Sequence, residues 1–257
     1  MPEPLLLLHG FTQTGRGWDE VVRHLDGERY RALAPDIRGH GAAASRRPID
    51  FAACVQDAVT LIGRPFALAG YSQGGRLALH VALAHPELVT RLVLVSATAG
   101  IADDDERARR RDADAALAAW MESEGRRMSE VADRWGAQAL FATQSPEVAA
   151  AARADRLSNE PAHLAAALRG IGTGVMTPLW ERLGELQMPV VVLAGELDEK
   201  YVALGERLAA ALPAARLQIV AGAGHALPLD APAAVAAAID GGAGRPQGHI
   251  TKTRDDH

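Results

Sequence analysis

Residues 65–76 read PFALAGYSQGGR and predict a strand, a sharp turn and the start of a helix. The apolar run before Gly70 is typical of a buried strand, and apolar positions recur at helical spacing between Gly74 and Pro86. The turn has the pattern Gly-x-Ser-x-Gly, whose small residues allow a strained backbone that lifts the hydroxyl of Ser72 clear of the sheet. The N-terminus of the following helix directs N–H groups toward any oxyanion that forms there. The stretch therefore predicts a nucleophilic serine.

Two later segments supply the partners that such a serine needs. A histidine must take the hydroxyl proton, and an acid must orient that histidine. Strand-like residues 190–194 lead into GELDEK, which places Asp198 just past a strand end, and strand-like residues 217–220 lead into AGAGH, which ends in His225. The order serine, acid, histidine is that of α/β hydrolases. Ser72, Asp198 and His225 are therefore a candidate catalytic triad.

Each partner also has an alternative interpretation. Asp198 could instead cap the helix that begins near residue 199, and Glu196 and Glu199 are rival acids. His225 could be an ordinary loop histidine, although it follows a strand end through small residues as the triad requires.

The N-terminal strand predicts the oxyanion hole. Residues 5–8 are all leucine and lead into HGFT, a loop of the kind that supplies one oxyanion donor, here the N–H of Phe11. The second donor is the N–H of Gln73, the residue after the nucleophile. We interpret His9 and His40 as residues that shape their loops.

Composition excludes several functional classes. The 257 residues have a net charge of −5 and are 48% hydrophobic, which suits one large core and does not suit nucleic acid or an anionic membrane surface. The single cysteine, Cys54, excludes an internal disulfide and is interpreted as a small apolar helix residue. We expect no metal or other cofactor, no membrane association, and a cytoplasmic monomer or homodimer.

Strands alternate with helices along most of the chain, which predicts a mostly parallel sheet flanked by helices. The predicted strands are 4–8, 30–34, 65–69, 91–95, 189–194 and 215–220. The predicted helices are 17–26, 50–62, 74–85, 199–212 and 231–240.

The alternation stops in an Ala-, Arg- and Glu-rich stretch that predicts four or five short helices. We therefore predict an α/β-hydrolase core at 1–98 and 188–240, a helical cap inserted at 99–187, and a disordered tail at 241–257.

The elbow and several further segments resemble one family within this fold. They are LLLLHGFT at 5–12 followed by Trp18, YSQGGRLAL at 71–79, RLSN at 156–159, LRGIGTG at 168–174, PLWERL at 178–183, GELDEKY at 195–201 and GAGH at 222–225. The family is that of the 2-succinyl-6-hydroxy-2,4-cyclohexadiene-1-carboxylate (SHCHC) synthases of menaquinone biosynthesis, whose elbow reads GYSMGGR. The resemblance extends to about residue 240.

The resemblance implies a lyase that uses its triad to abstract a proton and eliminate pyruvate from a small molecule with several carboxylates. It implies that Tyr71, Arg76, Trp135 and Arg156 bind this substrate. Arginine suits the task because its planar guanidinium forms two parallel hydrogen bonds to a carboxylate.

The chain departs from the family in one place that concerns binding. Some members carry a further substrate-binding arginine in the first cap helix, where alignment places Trp120. Nearby arginines could compensate; they are Arg107, Arg109, Arg110 and Arg111. Gln73 also replaces the usual methionine, which leaves the backbone donor unchanged.

Two other functions share the triad pattern. A serine carboxylesterase acting on small esters is the main alternative, and a non-catalytic binding protein on the same scaffold is another. Arg76 discriminates between the lyase and the esterase, because an esterase for neutral esters has little use for a cation beside the elbow.

Overall fold

The structure, a computed structural model, describes residues 1–241, so the predicted disorder at 242–257 lies outside the described residues. Within that range a six-stranded parallel sheet has the order β2-β1-β3-β4-β5-β6. The strands are β1 Glu3–Leu8, β2 Tyr30–Leu33, β3 Phe66–Tyr71, β4 Val89–Val95, β5 Val190–Gly195 and β6 Ala215–Val220.

Helices cover both faces of the sheet. They are α1 Asp19–His24, α2 Phe51–Ile62, α3 Gln73–Ala84, α4 Asp104–Met121, α5 Met128–Gly136, α6 Pro146–Arg156, α7 Pro161–Ile171, α8 Glu199–Ala211, α9 Leu227–Asp230 and α10 Pro232–Ile239. The α/β fold class is confirmed, and the predicted strands agree with the observed ones to within about two residues. The four-residue α9 was not predicted, because a single turn has no periodicity to detect.

The central strands are buried on both faces, which explains their continuous apolar sequence. Successive side chains of a strand point to opposite faces. Leu6 and Leu8 of β1 accordingly join one core cluster with residues of α2, α3 and α8, and Leu5 and Leu7 join the other with residues of α1 and α10. The alternating strands and helices therefore form three layers, with the sheet in the middle.

Four helices, α4 to α7, lie between β4 and β5, together with short 3-10 turns at Ala139–Phe141 and Trp180–Glu185. Ala118 of α4 and Leu164 of α7 belong to the same core cluster as the elbow helix α3. The helices of the predicted cap thus pack continuously onto the sheet domain. Among residues 1–241, no helix has the length and hydrophobicity to cross a membrane.

Candidate active site

The elbow holds Ser72 in an unusual backbone conformation. Ser72 lies between β3 and α3 with φ 51° and ψ −106°, a left-handed region that non-glycine residues rarely adopt. A Cβ added to Gly74 would come within 2.0 Å of the Leu8 carbonyl oxygen and 2.7 Å of that of His9. Only glycine therefore lets α3 begin directly against the end of β1, which places the elbow beside the loop that follows β1.

The structure brings the three candidate triad residues together. The Nδ1–H of His225 donates to Asp198 Oδ2 at 2.7 Å, and the Ser72 hydroxyl lies 3.3 Å from His225 Nε2. Asp198 and His225 are both buried. Asp198 Oδ1 also accepts a hydrogen bond from the Tyr201 N–H at 3.3 Å, so this residue caps α8 as well as facing the histidine. The two interpretations of Asp198 are thus compatible.

The rival acids lie elsewhere. Glu196 accepts a hydrogen bond from the Gly222 N–H at 2.8 Å, and Glu199 is exposed on α8. Gly195 approaches the histidine loop so closely that an added Cβ would lie 2.1 Å from the Gly224 carbonyl oxygen. This contact joins the loop of the acid to the loop of the histidine.

Further groups hold the histidine in place. The Ser96 hydroxyl, at the end of β4, donates to the His225 carbonyl oxygen at 2.8 Å. The Tyr201 and Tyr71 rings lie 4.4 Å and 5.4 Å from the imidazole, centroid to centroid. Sequence reasoning missed Ser96, because nothing in its surroundings distinguishes it from any other serine at a strand end.

Both predicted oxyanion donors border Ser72. Phe11, Gln73 and Ser72 line one cavity. Within residues 1–241, neither the Phe11 N–H nor the Gln73 N–H donates to a protein acceptor. Thr12, next to Phe11, has a positive φ of 69°, so the loop turns sharply at this point. The two N–H groups are therefore available to a bound oxygen.

His9 and His40 pack against the loop that carries Phe11. Ile37 donates its N–H to His9 Nε2 at 2.9 Å, and His9 Nδ1 lies 2.9 Å from the Gly10 carbonyl oxygen. Burial lowers the pKa of His9, and it lowers the pKa of His40 to about 3. The His40 ring makes an edge contact with Phe11 at 5.6 Å. Both histidines are neutral structural residues, in line with their sequence interpretation.

Ser72 lines two of the cavities in residues 1–241. The larger has a volume of about 230 Å³. It is lined by Phe11, Ser72, Gln73, Arg76, Arg110, Trp135, Gln138, Leu140, Leu168, Thr173, Lys200 and Tyr201. The smaller, of about 30 Å³, is lined by Gly10, Phe11, Gln13, Tyr71, Ser72, Trp135, Leu140, Phe141, Arg156 and His225. All four residues assigned to substrate binding by resemblance thus border Ser72, two of them from the cap.

Arg76 and Arg156 are buried cations. Arg76 donates to the Ile171 carbonyl oxygen at 2.8 Å, and Arg156 lies over the Phe141 ring at 5.0 Å. Among the described residues neither forms an ion pair, and the Nε of Arg156 has no hydrogen-bond partner. Burial lowers the pKa of Arg76 to about 10 and also lowers the pKa of Arg156. Arg76 therefore remains charged at neutral pH, and within residues 1–241 neither guanidinium has an anionic partner.

The structure answers the question raised by Trp120. Arg110 lines the larger cavity, held by its Nε at 2.7 Å from Asp114 Oδ1. Trp120 instead contacts the guanidiniums of Arg126 and Arg134, whose Cζ atoms lie 4.2 and 4.3 Å from its ring centroid, and it lines a separate cavity in the cap. Arg110 is therefore the first-cap-helix arginine that reaches the site.

Lys200 and Tyr201 were not assigned to the site from sequence. They line the larger cavity because they follow Asp198 at the start of α8. Their signal was the GELDEKY motif, which contains both of them beside the acid.

Two of the other cavities within residues 1–241, both of about 310 Å³ or more, lie apart from the triad. One of about 310 Å³ lies beside α2 and includes Cys54, whose thiol pKa burial raises to about 12. The other, of about 460 Å³, is the cap cavity at Trp120. Neither is lined by a triad residue, so the chemistry belongs to the cavities at Ser72. Within the described part of the chain, no cluster of three His, Cys, Asp or Glu side chains could hold a metal ion.

Comparison with known proteins gives a consistent result. Residues 5–238 match the alpha/beta hydrolase family. The chain is 32% identical to the 2-succinyl-6-hydroxy-2,4-cyclohexadiene-1-carboxylate synthase of Salmonella enteritidis PT4 (strain P125109), over 90% of each chain. It is 33% identical to a Bacillus subtilis (strain 168) protein that bears the same name provisionally, over 90% of this chain and 86% of that one.

Solved structures resemble it as well. MenH from S. aureus superposes with a TM-score of 0.86 and 28% identity, covering 93% of this chain and 92% of the other. A thermophilic esterase from Thermogutta terrifontis, with malate bound, gives a TM-score of 0.81 and 25% identity over 94% and 89% of the two chains.

Proposed function

Because this chain belongs to the α/β hydrolase family and, within it, to the 2-succinyl-6-hydroxy-2,4-cyclohexadiene-1-carboxylate synthases, we propose that it eliminates pyruvate to form that product in menaquinone biosynthesis. The observation that supports this most directly is that two buried arginines, which form no ion pair within residues 1–241, line the cavities at Ser72. A buried cation without an anion is costly, so such groups are expected where a ligand supplies the anion.

The triad would act as a base in this reaction. His225 takes the proton of Ser72, and the serine oxygen removes a proton from substrate carbon next to a carbonyl. The electron pair of the C–H bond forms a new carbon–carbon double bond, and the carbon–oxygen bond to the pyruvyl group breaks. The leaving enolate takes up the proton released by His225 and departs as pyruvate, which returns Ser72 and His225 to their starting protonation states. Asp198 stabilises the positive charge on His225 throughout.

The oxyanion donors stabilise the charge that develops during proton removal. As the proton leaves, negative charge accumulates on the adjacent carbonyl oxygen, and the Phe11 and Gln73 N–H groups donate to it. These donors are part of the backbone, so the replacement of methionine by Gln73 does not alter them. No covalent intermediate on Ser72 is required.

The arginines supply substrate recognition. Arg76 from α3 and Arg156 from α6 approach Ser72 through different cavities, so they would bind two separate carboxylates of one substrate. Arg110 and Lys200 add positive charge to the larger cavity. Trp135 lines both cavities and would pack against the ring between the carboxylates. This arrangement favours a small polycarboxylate, and a biosynthetic role of this kind is expected in the cytoplasm.

The test is a direct comparison of two substrates. Purified protein is incubated with the pyruvate-bearing pathway intermediate, and pyruvate release is followed by a coupled dehydrogenase assay. A p-nitrophenyl ester of a short neutral acid serves as the competing substrate. We expect rapid pyruvate release and slow ester hydrolysis. Efficient ester hydrolysis without pyruvate release would replace the lyase by a carboxylesterase; the T. terrifontis neighbour is described as an esterase.

A further inference from the structure

One buried amide in the cap contacts two loops of the core, and one of these, the loop after β1, lines the cavities at Ser72. Asn159, which is 5% exposed, donates through Nδ2 to the Thr12 carbonyl oxygen at 2.9 Å. The same nitrogen lies 3.3 Å from the Arg156 carbonyl oxygen, and Asn159 Oδ1 accepts the Gly41 N–H at 2.9 Å. A single side chain therefore joins the end of α6, the loop after β1 and the loop after β2.

The loop that Asn159 holds is strained. Thr12 adopts φ 69°, a conformation that is unfavourable for a non-glycine residue and persists only where neighbouring contacts hold it. The bond from Asn159 falls on the carbonyl of this strained residue, directly after the oxyanion donor Phe11. Asp155 adds a second attachment, because its carboxylate accepts the Thr14 N–H at 3.0 Å and also the Thr14 hydroxyl.

On the cap side, Asn159 contacts Arg156, the last residue of α6. Asp155 precedes this arginine and Asn159 follows it by three residues. Asn159 Nδ2 also donates a longer hydrogen bond, at 3.3 Å, to the Arg156 carbonyl oxygen. Displacement of the α6 end would move the guanidinium, and relaxation of the Thr12 turn would move the Phe11 N–H. The amide thus fixes two functional groups relative to each other.

We propose that Asn159 is a positioning residue that holds the carboxylate-binding Arg156 of the cap in register with the oxyanion turn of the core. Substrate binding and oxyanion stabilisation are then aligned by one buried hydrogen-bonded bridge. The part that concerns Arg156 rests on the proposed function, whereas the part that concerns Phe11 applies to any substrate that forms an oxyanion.

Asn159→Asp is the sharpest test, because it preserves the shape of the side chain and replaces the donor to the Thr12 carbonyl oxygen by an acceptor. The new carboxylate still accepts the Gly41 N–H but repels the Thr12 carbonyl oxygen. We expect kcat to fall about ten-fold on both the neutral ester and the pathway intermediate, since a displaced oxyanion donor loses part of its effect. We expect KM to rise only for the acidic intermediate, through Arg156. The ratio of variant to parent kcat should recover as the pH is lowered, because a protonated carboxyl can donate to Thr12 again.

Arg153→Gln is the matched control. Arg153 lies on the same helix α6 but pairs with exposed Asp133 of α5, with Nε at 2.6 Å from Oδ1, and contacts neither core loop. It should leave kcat and KM unchanged. Asp155→Asn, which weakens the second attachment, should give a smaller version of the Asn159→Asp effect and serves if that variant does not fold.

Folded Asn159→Asp protein with unchanged kcat on both substrates would overturn the proposal. So would a loss that appears only in the melting temperature, or an equal loss in Arg153→Gln. If the parent protein releases no pyruvate, the proposed function fails, but the ester kcat still tests the attachment of the oxyanion turn.

Discussion

The triad and the two buried arginines border the same cavities, but their polar groups are satisfied in different ways. Asp198, His225 and Ser72 are hydrogen-bonded to one another before any substrate binds. Arg76 has one carbonyl acceptor, and Arg156 has an aromatic ring. A guanidinium carries five N–H donors, so most of the hydrogen-bonding capacity of each arginine is unused.

This difference separates chemistry from recognition. The candidate triad is complete in the protein alone, so under the proposed function it would remove protons without selecting among substrates. The arginines are incomplete without an anion, so their free energy depends on which ligand is present. A neutral ester leaves both cations buried and unpaired, whereas a polycarboxylate satisfies both. Under the proposed function, the arginines and not the triad would therefore distinguish this enzyme from the esterases that share its fold.

The largest expected effect tests the triad, which should not discriminate between acidic and neutral substrates. Ser72→Ala and His225→Ala should each lower kcat about a thousand-fold or more, by the same factor on the pathway intermediate and on a neutral ester. Asp198→Asn should also cause a large loss, measured by steady-state kinetics. Glu196→Gln is its matched control, since Glu196 meets only the Gly222 N–H, and should retain activity. Near-normal turnover by folded Ser72→Ala would refute the assignment.

The second effect tests the arginines, which should discriminate between acidic and neutral substrates. Arg76→Met should lower kcat/KM for the acidic substrate by about ten- to a hundred-fold, as expected for loss of a charge-assisted pair, and leave ester hydrolysis unchanged. Arg76→Lys should recover only part, because an ammonium lacks the planar fork. Equal losses on both substrates would instead show that Arg76 supports the elbow helix.

The same variant should also be more stable. Burial lowers the pKa of Arg76 to about 10 from 12.5, so the unfolded chain holds this proton more tightly than the folded one. The charged form therefore destabilises the fold at every pH below about 10, and stability is regained only as the pH rises through that value. Urea unfolding at neutral pH should show a higher midpoint for Arg76→Met.

The smallest effect concerns the side-chain amide of Gln73, which belongs neither to the triad nor to the arginines. The Gln73 side chain is 1% exposed, and within the described residues neither its Nε2 nor its Oε1 has a hydrogen-bond partner. Gln73→Met, which restores the residue usual in the family, should raise the free energy of unfolding by about 1 kcal/mol. Ester kcat should not change, because the backbone N–H remains. A drop in stability would mean that the amide has a partner such as a buried water.

Local sequence patterns were sufficient for much of the site. The elbow at Ser72, the strand ends before Asp198 and His225, and the loop at Phe11 each carry their own signal within a few residues. Parallel strands place such loops at one edge of a sheet, so their meeting followed from the strand pattern. Arg76 was assigned through the resemblance of its elbow segment, residues 71–79, to that of the synthase family.

Other contacts have no local signal. Arg110 and not Trp120 reaches the cavity, because the packing of α4 on α7 decides which face of α4 points inward. Asn159 and Ser96 bond to backbone atoms that are far away in sequence, at Thr12 and His225. Such partners depend on the angle at which the helices between β4 and β5 dock on the sheet.

The sequence by itself determined the parallel α/β fold, the order of the candidate triad and the family, because strand burial, helix period and a tight glycine turn are encoded over short stretches. The tertiary structure alone decided which cations are buried without an anion and which cap residues hold the oxyanion turn. Burial and pairing depend on atoms contributed by distant segments, and the free energy of a charge depends on those surroundings more than on the residue that carries it.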